Sequence, residues 1–183
     1  MRVIAGTRRS MPLKAPAGMD TRPTQDRTKE TLFNVLQNEI PGAEFLDLFA
    51  GSGAIAIEAL SRGAKHATLV ENARKANECI KENLKFTRFA EDADLMEMDV
   101  FSALERLKNH SKFDVVFMDP PYQLEAEPQI LQVFNGMDSI TEYTTIVIEA
   151  GLKRDLSFIE ECGYTIVKLK TYKTNQHVFI RKK

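Results

Sequence analysis

Cysteine and histidine are scarce in this chain, and long apolar runs are absent. Cys79 and Cys162 stand far apart, each in a segment that reads as helix, so a disulfide framework is excluded and two reduced thiols are expected. His66, His110 and His177 are scattered without ligand spacing, and no metal site is expected. No apolar stretch approaches the ~18 residues of a membrane-spanning helix. The opening Met1-Arg2-Val3-Ile4-Ala5-Gly6 lacks the apolar core and cleavage site of a secretory signal, so a cytoplasmic protein without membrane association is expected. What is present is ordinary globular material: 43% hydrophobic and 28% charged residues in 183, the length of one domain (1–183) whose sheet can carry helices on both faces.

The net charge of −1 hides an uneven distribution. Residues 1–31 carry +4 through Arg2, Arg8, Arg9, Lys14, Arg22, Arg27 and Lys29 against three acids, and residues 168–183 carry +6 with no acid, leaving −11 for the body between. Basic ends on an acidic body suit a surface that meets a polyanion. Solvated terminal lysines and arginines would give the same count, and for Arg181-Lys182-Lys183 that plain reading is preferred. The arginines of the amino-terminal segment are the better candidates for phosphate contacts.

Two motifs carry chemistry. The run Phe113-Asp114-Val115-Val116-Phe117-Met118 reads as a buried parallel strand and leads directly into Asp119-Pro120-Pro121-Tyr122. The tetrapeptide therefore falls at a strand's carboxyl end, where open α/β sheets bind ligands. Two prolines stiffen the turn and remove two backbone donors. An acid before them and an aromatic after them suit a planar base held by its exocyclic amino group. Proline as mere punctuation would explain this turn if it stood alone. Upstream, however, Leu46-Asp47-Leu48-Phe49-Ala50-Gly51-Ser52-Gly53 reads as strand, tight turn and helix start, with glycines where a ligand must approach backbone closely. The next strand pattern, His66-Ala67-Thr68-Leu69-Val70, ends at Glu71, placed to accept from ribose hydroxyls. The glycine spacing also satisfies the generic dinucleotide fingerprint. Asp47 favours a different ligand, because an acid four residues before Gly51 meets a cationic amino group better than a pyrophosphate.

Strand-like runs at 44–49, 66–71, 94–98, 113–118 and 143–149 alternate with helix-like runs at 53–62, 73–87, 101–108, 126–135 and 152–162. Such alternation predicts a doubly wound, Rossmann-like α/β sheet. The tail breaks the pattern: 164–170 and 177–181 are both strand-like, and their connection is too short for a parallel crossover, so an antiparallel hairpin closes the sheet. Seven strands result, mostly parallel with an antiparallel carboxyl-terminal strand. Residues 1–24 precede this core as a small basic hairpin around Gly6-Thr7-Arg8-Arg9-Ser10 and a loop. The core proper, 25–183, opens with a helix to about Glu39 that buries Leu32, Val35, Leu36 and Ile40 and is stopped by Pro41-Gly42.

Taken together, Arg2-Val3-Ile4-Ala5-Gly6, Thr21-Arg22-Pro23-Thr24 with Asp26-Arg27 and Glu30-x-x-Phe33-Asn34, the Asp47-to-Gly53 loop, Val70-Glu71 and Asp119-Pro120-Pro121-Tyr122 resemble the class I S-adenosylmethionine-dependent methyltransferases. Nearer still, the chain resembles the bacterial 16S ribosomal RNA guanine-N2 methyltransferase family over nearly its whole length, the amino-terminal pattern being the specific part. The resemblance implies that Asp47, Phe49, Gly51, Ser52 and Gly53 hold the methionine end of S-adenosylmethionine, that Glu71 with Asn72 binds the ribose, and that Asp99 with Val100 meets the adenine. Asp119 and the Pro120 carbonyl would hold the target amine in the turn that Pro121 completes, with Tyr122 stacked on the guanine. Arg8, Arg9 and Arg22 would contact RNA, with 16S rRNA or the small ribosomal subunit particle as partner.

Three rivals share parts of this pattern. A DNA or RNA adenine-N6 methyltransferase would use the same tetrapeptide, although a sequence-specific DNA enzyme needs a recognition module for which these elements leave no room. A nicotinamide-dependent oxidoreductase leaves Asp119 to Tyr122 unexplained. A non-catalytic RNA-binding module needs only the basic ends.

Overall fold

The computed structural model describes residues 1–16, 23–121 and 124–183, without the side chains of 23–25. The expectations for Arg22 and Tyr122 lie outside the described residues. Strands β1 (Glu44–Asp47), β2 (His66–Glu71), β3 (Ala93–Glu97), β4 (Val115–Met118), β5 (Thr145–Gly151), β6 (Tyr164–Thr171) and β7 (Asn175–Lys182) form one sheet in the order β3-β2-β1-β4-β5-β7-β6. The pairs along β3-β2-β1-β4-β5 are parallel, and β7 inserts antiparallel between β5 and β6. The expected doubly wound sheet with a closing hairpin is therefore the observed fold.

Helices cover both faces because the central strands are apolar on both sides; all four residues of β4 are buried. On one face α1 (Pro23–Val35), α2 (Ala54–Ser61) and α3 (Arg74–Thr87) bury Leu32, Phe33, Ile57 and Ile80 against Phe45, Leu69 and Phe117. On the other, α4 (Val100–Leu107), α5 (Glu127–Asn135) and α6 (Ser157–Glu161) bury Leu104, Ile130 and Ile159 against Leu46, Val116 and Ile148. Strand order reverses between β1 and β4, so the crevice for a ligand opens at the carboxyl ends of those two strands.

Two helix expectations need correction. The helix read over 152–162 is only α6. Asp155 accepts from the Ser157 N–H and hydroxyl (3.0 Å each), a local turn that competes with helix before Ser157, and Gly163 at φ 88° ends it. Cys162 accordingly follows α6 rather than lying inside it, and both cysteines are free thiols. The helix read to Glu39 ends at Val35 and continues as turns, in which the Ile40 N–H still bonds the Leu36 carbonyl (3.1 Å).

The amino-terminal hairpin exists, closed by an antiparallel bridge between Arg2 and Pro12 and by Val3 N–H to Met11 (2.9 Å). Its anchor is Glu58 in the middle of α2, a wholly buried carboxylate. Glu58 accepts from the N–H groups of Ile4 (2.8 Å) and Ala5 (3.0 Å) and pairs with Lys29 (3.3 Å) and Arg62 (2.8 Å). Burial presses the Lys29 ammonium down from its usual range, against the pull of Glu58. Next along, Gly6 at φ 83° passes so close to α2 that a Cβ there would lie 1.7 Å from the Ser61 carbonyl oxygen. The hairpin is a built part of the fold rather than a loose basic arm.

Candidate active site

The carboxyl edge of the sheet carries a row of acids, one per strand. Parallel register places Asp47 of β1 opposite Leu69, two residues before Glu71 of β2, and opposite Phe117, two residues before Asp119. Met118 pairs with Ile148, so Asp119 and Glu149 are the next residues on the neighbouring strands β4 and β5. Parallel pairing puts all four at one edge, around a cleft of about 1370 Å³ lined by Asp47, Glu71, Asp119 and Glu149 together with the loop from Phe49 to Ser52. Asn72, Asp99, Val100 and Pro121 line the same cleft.

The glycine loop is shaped from both sides. Gly51 (φ 55°) and Gly53 (φ 76°) adopt left-handed backbone that other residues resist, and Gly53 begins α2. The Gly51 N–H donates to one oxygen of Glu71 (2.9 Å) and the Ala73 N–H to the other (2.8 Å). Glu71 therefore ties the β2 exit to the β1 loop. Below them, Asn83 of α3 donates to the Ser52 carbonyl (2.9 Å) and exchanges hydrogen bonds with Lys14 (2.9 and 3.0 Å), linking the loop to the hairpin.

Asp47 is the anomalous group. It is 1% exposed, and neither carboxylate oxygen has a hydrogen-bond partner among the described residues. Burial pushes its carboxyl up to about 7; the N–H groups of Phe49 and Ala56 lean the other way without closing hydrogen bonds, and Glu71 adds to the rise. An unpaired buried anion is costly unless something cationic meets it. Asp119 has a large area open to solvent on its cleft side, but the sheet edge excludes water from the rest. Its carboxyl is held above the usual range, first by that desolvation and then by Glu149 and Asp47.

Asp99 is less simple. Strand β3 ends at Glu97, and Asp99 is the N-cap of α4, accepting from the Ser102 N–H (3.0 Å); the Ser102 side chain first, and then this N–H, keep its carboxyl below the usual range. An acid three residues before Ser102 at a helix start is a readable capping signal. Val100 behind it is buried.

The hairpin arginines lie at the opposite end of the helices. Arg8 Nε donates to the Thr87 carbonyl at the end of α3 (2.7 Å), its guanidinium sits 5.2 Å from the Phe89 ring, and its N–H donates to Ser61 at the end of α2 (3.0 Å). The cleft is at the start of α3, whose 14 residues span roughly 21 Å. Arg9 is exposed. Arg8 thus has a structural task that the sequence did not announce.

Sequence reasoning also missed the wall formed by the β6–β7 hairpin. His177, read as an isolated histidine, is 1% exposed; it contacts Glu149 through Nε2 (3.1 Å) and the Tyr172 hydroxyl through Nδ1 (3.0 Å). Asn175 donates to the other oxygen of Glu149. Among the described residues no group of three His, Cys, Asp or Glu side chains is arranged to hold a metal, and no helix is long and apolar enough to cross a membrane.

A sheet of this order, with a glycine turn after its first strand and an Asp-Pro-Pro exit from its fourth, defines a class I methyltransferase fold. Residues 1–181 match the family model described as conserved hypothetical protein 95, and the chain belongs to that family. It is 37% identical over 171 residues to a candidate rRNA methyltransferase of Bacillus subtilis (strain 168), YlbH, covering 93% of this chain and 92% of that one. It is 35% identical over 172 residues to ribosomal RNA small subunit methyltransferase D of Haemophilus influenzae, covering 93% and 88%. The solved structure of a candidate methyltransferase of Escherichia coli, yhhF, superposes with a TM-score of 0.84 at 29% identity, covering 100% of this chain and 98% of that one. The motif resemblance is thus a family relationship, and the chain is a methyltransferase.

Proposed function

We propose that this methyltransferase transfers the methyl group of S-adenosylmethionine to the exocyclic N2 amine of a guanine in 16S ribosomal RNA, acting in the cytoplasm on the rRNA or the small-subunit particle. The observation that carries the proposal is the shared cleft: Asp119 and Pro121 line the same space as the loop from Asp47 to Ser52 and Glu71, while Pro120 and Gly53 do not line it. The names of the Bacillus and Haemophilus relatives supply rRNA as the substrate class.

The unpaired carboxylate of Asp47 fits a ligand with a cationic amino group, as S-adenosylmethionine has. In this reading Asp47, Phe49, Gly51, Ser52 and Gly53 hold the methionine end, Glu71 and Asn72 the ribose, and Asp99 and Val100 the adenine. When bound, S-adenosylmethionine supplies a methyl group on a sulfonium, already activated toward a nucleophile. The chain's own work is positioning. A guanine amine is a weak nucleophile because its lone pair is delocalised into the ring. Asp119 and the Pro120 carbonyl accept its two N–H groups, leaving the lone pair free and stabilising positive charge on the nitrogen. Pro121 stiffens the turn, and Tyr122 stacks on the base. A paired base cannot enter the cleft, so the target must be unpaired or flipped. Arg8, Arg9 and Arg22 contact RNA phosphates; with Arg8 occupied by Thr87 and Phe89, Arg9 offers the freer guanidinium. RNA that meets both Arg9 and the cleft has to run along α2 and α3.

Calorimetry with S-adenosylmethionine and with a nicotinamide dinucleotide, followed by label transfer to rRNA, tests the proposal. Saturable binding of S-adenosylmethionine with transfer to rRNA is expected. Binding of the dinucleotide alone, or label only in DNA, would refute it.

A further inference from the structure

The acid row along the sheet edge contains one member with no role in this reading. Glu149 follows Ile148 at the cleft end of β5 as Asp119 follows Met118 on β4, and neighbouring strands lie about 4.8 Å apart. Unlike Asp47, Glu149 is elaborately held. Asn175 donates to one oxygen, and His177, its cross-strand partner on β7, contacts the other at 3.1 Å. His177 is fixed in turn by the Tyr172 hydroxyl (3.0 Å) and by edge-on packing against Phe117 and Phe179. Burial, and after it Glu149, push the Tyr172 phenol up to about 12, so it stays a donor. With Tyr172 donating to Nδ1, Nε2–H is left to donate to Glu149, the tautomer the partners require. A carboxylate that only capped a hairpin would not need a buried, ring-packed histidine to aim it, nor would it face the cleft beside Asp119.

We propose that Glu149 is the second carboxylate of the amine site: paired with Asp119 across β4 and β5, and aimed by His177 and Asn175, it makes the pair the acceptor of the proton that the methylated nitrogen releases. This rests on the reading of Asp119 as acceptor of the target amine. The step is balanced by one proton: an N–H bond breaks, its electrons stay on nitrogen, and an O–H bond forms on Asp119, both Glu149 oxygens being held by Asn175 and His177, so the charge of the ionised pair falls from −2 to −1. Burial, and after it the Glu149 charge on the neighbouring strand, raise the proton affinity of Asp119, the carboxylate that meets the amine. His177 and Tyr172 are positioning residues. Among the described residues, the other charged or titratable side chains lining this cleft are Asp47, Glu71, Asp99, Asp26, Lys29 and Lys173, of which Asp26 pairs with Arg2 and Lys29 with Glu58.

The test reads Asp119 directly. Protein with carbon-13-labelled aspartate carboxyls is titrated by NMR without ligand, with Asp119 assigned through Asp119→Asn. In Glu149→Gln the Asp119 midpoint is expected to fall by about one pH unit. In Tyr172→Phe a smaller fall is expected. In label transfer, the acid limb of kcat in Glu149→Gln should move down in parallel while KM changes little. An Asp119 midpoint and acid limb unchanged in folded Glu149→Gln would overturn the pairing. If that variant does not fold, Glu149→Ala, which removes the same charge, takes its place with the same two outcomes. Failure of the wild type to transfer label would defeat the amine-methylation reading, while the NMR midpoint would still decide whether the two carboxylates are coupled.

Discussion

Replacing Asp47 with asparagine should make the ligand-free protein more stable and its cofactor binding weaker. The carboxylate is 1% exposed, has no hydrogen-bond partner among the described residues, and titrates at about 7 where an ordinary aspartate titrates at 3.8. At roughly 1.36 kcal/mol per pH unit, that difference costs the folded state about 4 kcal/mol once Asp47 is ionised. Because the folded value is raised, the penalty is absent below about pH 4, grows as pH rises and is complete above about pH 7. Asparagine keeps the shape and removes the charge, but its amide is also left short of partners, at about 1–3 kcal/mol. The net gain at pH 8 is then about 1–3 kcal/mol, and the advantage should shrink toward pH 5. Urea unfolding of both proteins at pH 5 and pH 8 measures this, and calorimetry should show S-adenosylmethionine affinity reduced at least tenfold. A variant less stable than wild type at pH 8, with the same pH slope, would refute the view that Asp47 is an uncompensated anion awaiting a cation.

Other outcomes follow from neighbouring groups. Glu58→Gln removes the charge that faces buried Lys29 and should cost about 3–5 kcal/mol, read as a lower unfolding midpoint. Glu71→Ala should weaken S-adenosylmethionine binding by about 1.5–3 kcal/mol by calorimetry, with turnover at saturating cofactor affected much less; unchanged affinity would remove Glu71 from the site. Arg9→Ala should leave S-adenosylmethionine affinity intact and flatten the dependence of log RNA affinity on log salt by about 0.7 to 0.9. Arg8→Ala should in addition lower the melting temperature, because Arg8 stacks on Phe89 and holds the Thr87 carbonyl; equal slopes in both variants and wild type would mean the hairpin only caps the fold.

The sheet was legible because its signals are local: apolar runs of strand length alternate with helical ones, and a six-residue connection cannot cross over in parallel. For the same reason the glycine turn, Glu71 and Asp119 could be placed at strand ends in advance. The short α6 was not legible, since residues 152–162 contain no proline and the break comes from the local turn in which Asp155 accepts from Ser157. Glu149 and His177 were invisible as a pair because they lie 28 residues apart and meet only through antiparallel β5–β7 register. Glu58 carries no local signal of its role in an otherwise apolar helix; its partners come only when the hairpin folds over α2 and offers it two N–H groups. Arg8 shows the converse, a residue read as surface charge that tertiary packing turns into an anchor.

The most direct test of the central claim is the product nucleoside. Wild type and Asp119→Ala are incubated with methyl-labelled S-adenosylmethionine and small-subunit particles or 16S rRNA lacking the modification, and the RNA is digested to nucleosides. The account predicts label in N2-methylguanosine with wild type. It also predicts a loss on the order of 10²-fold or more in Asp119→Ala at unchanged S-adenosylmethionine affinity. Label in N6-methyladenosine, or full turnover by Asp119→Ala, would contradict it.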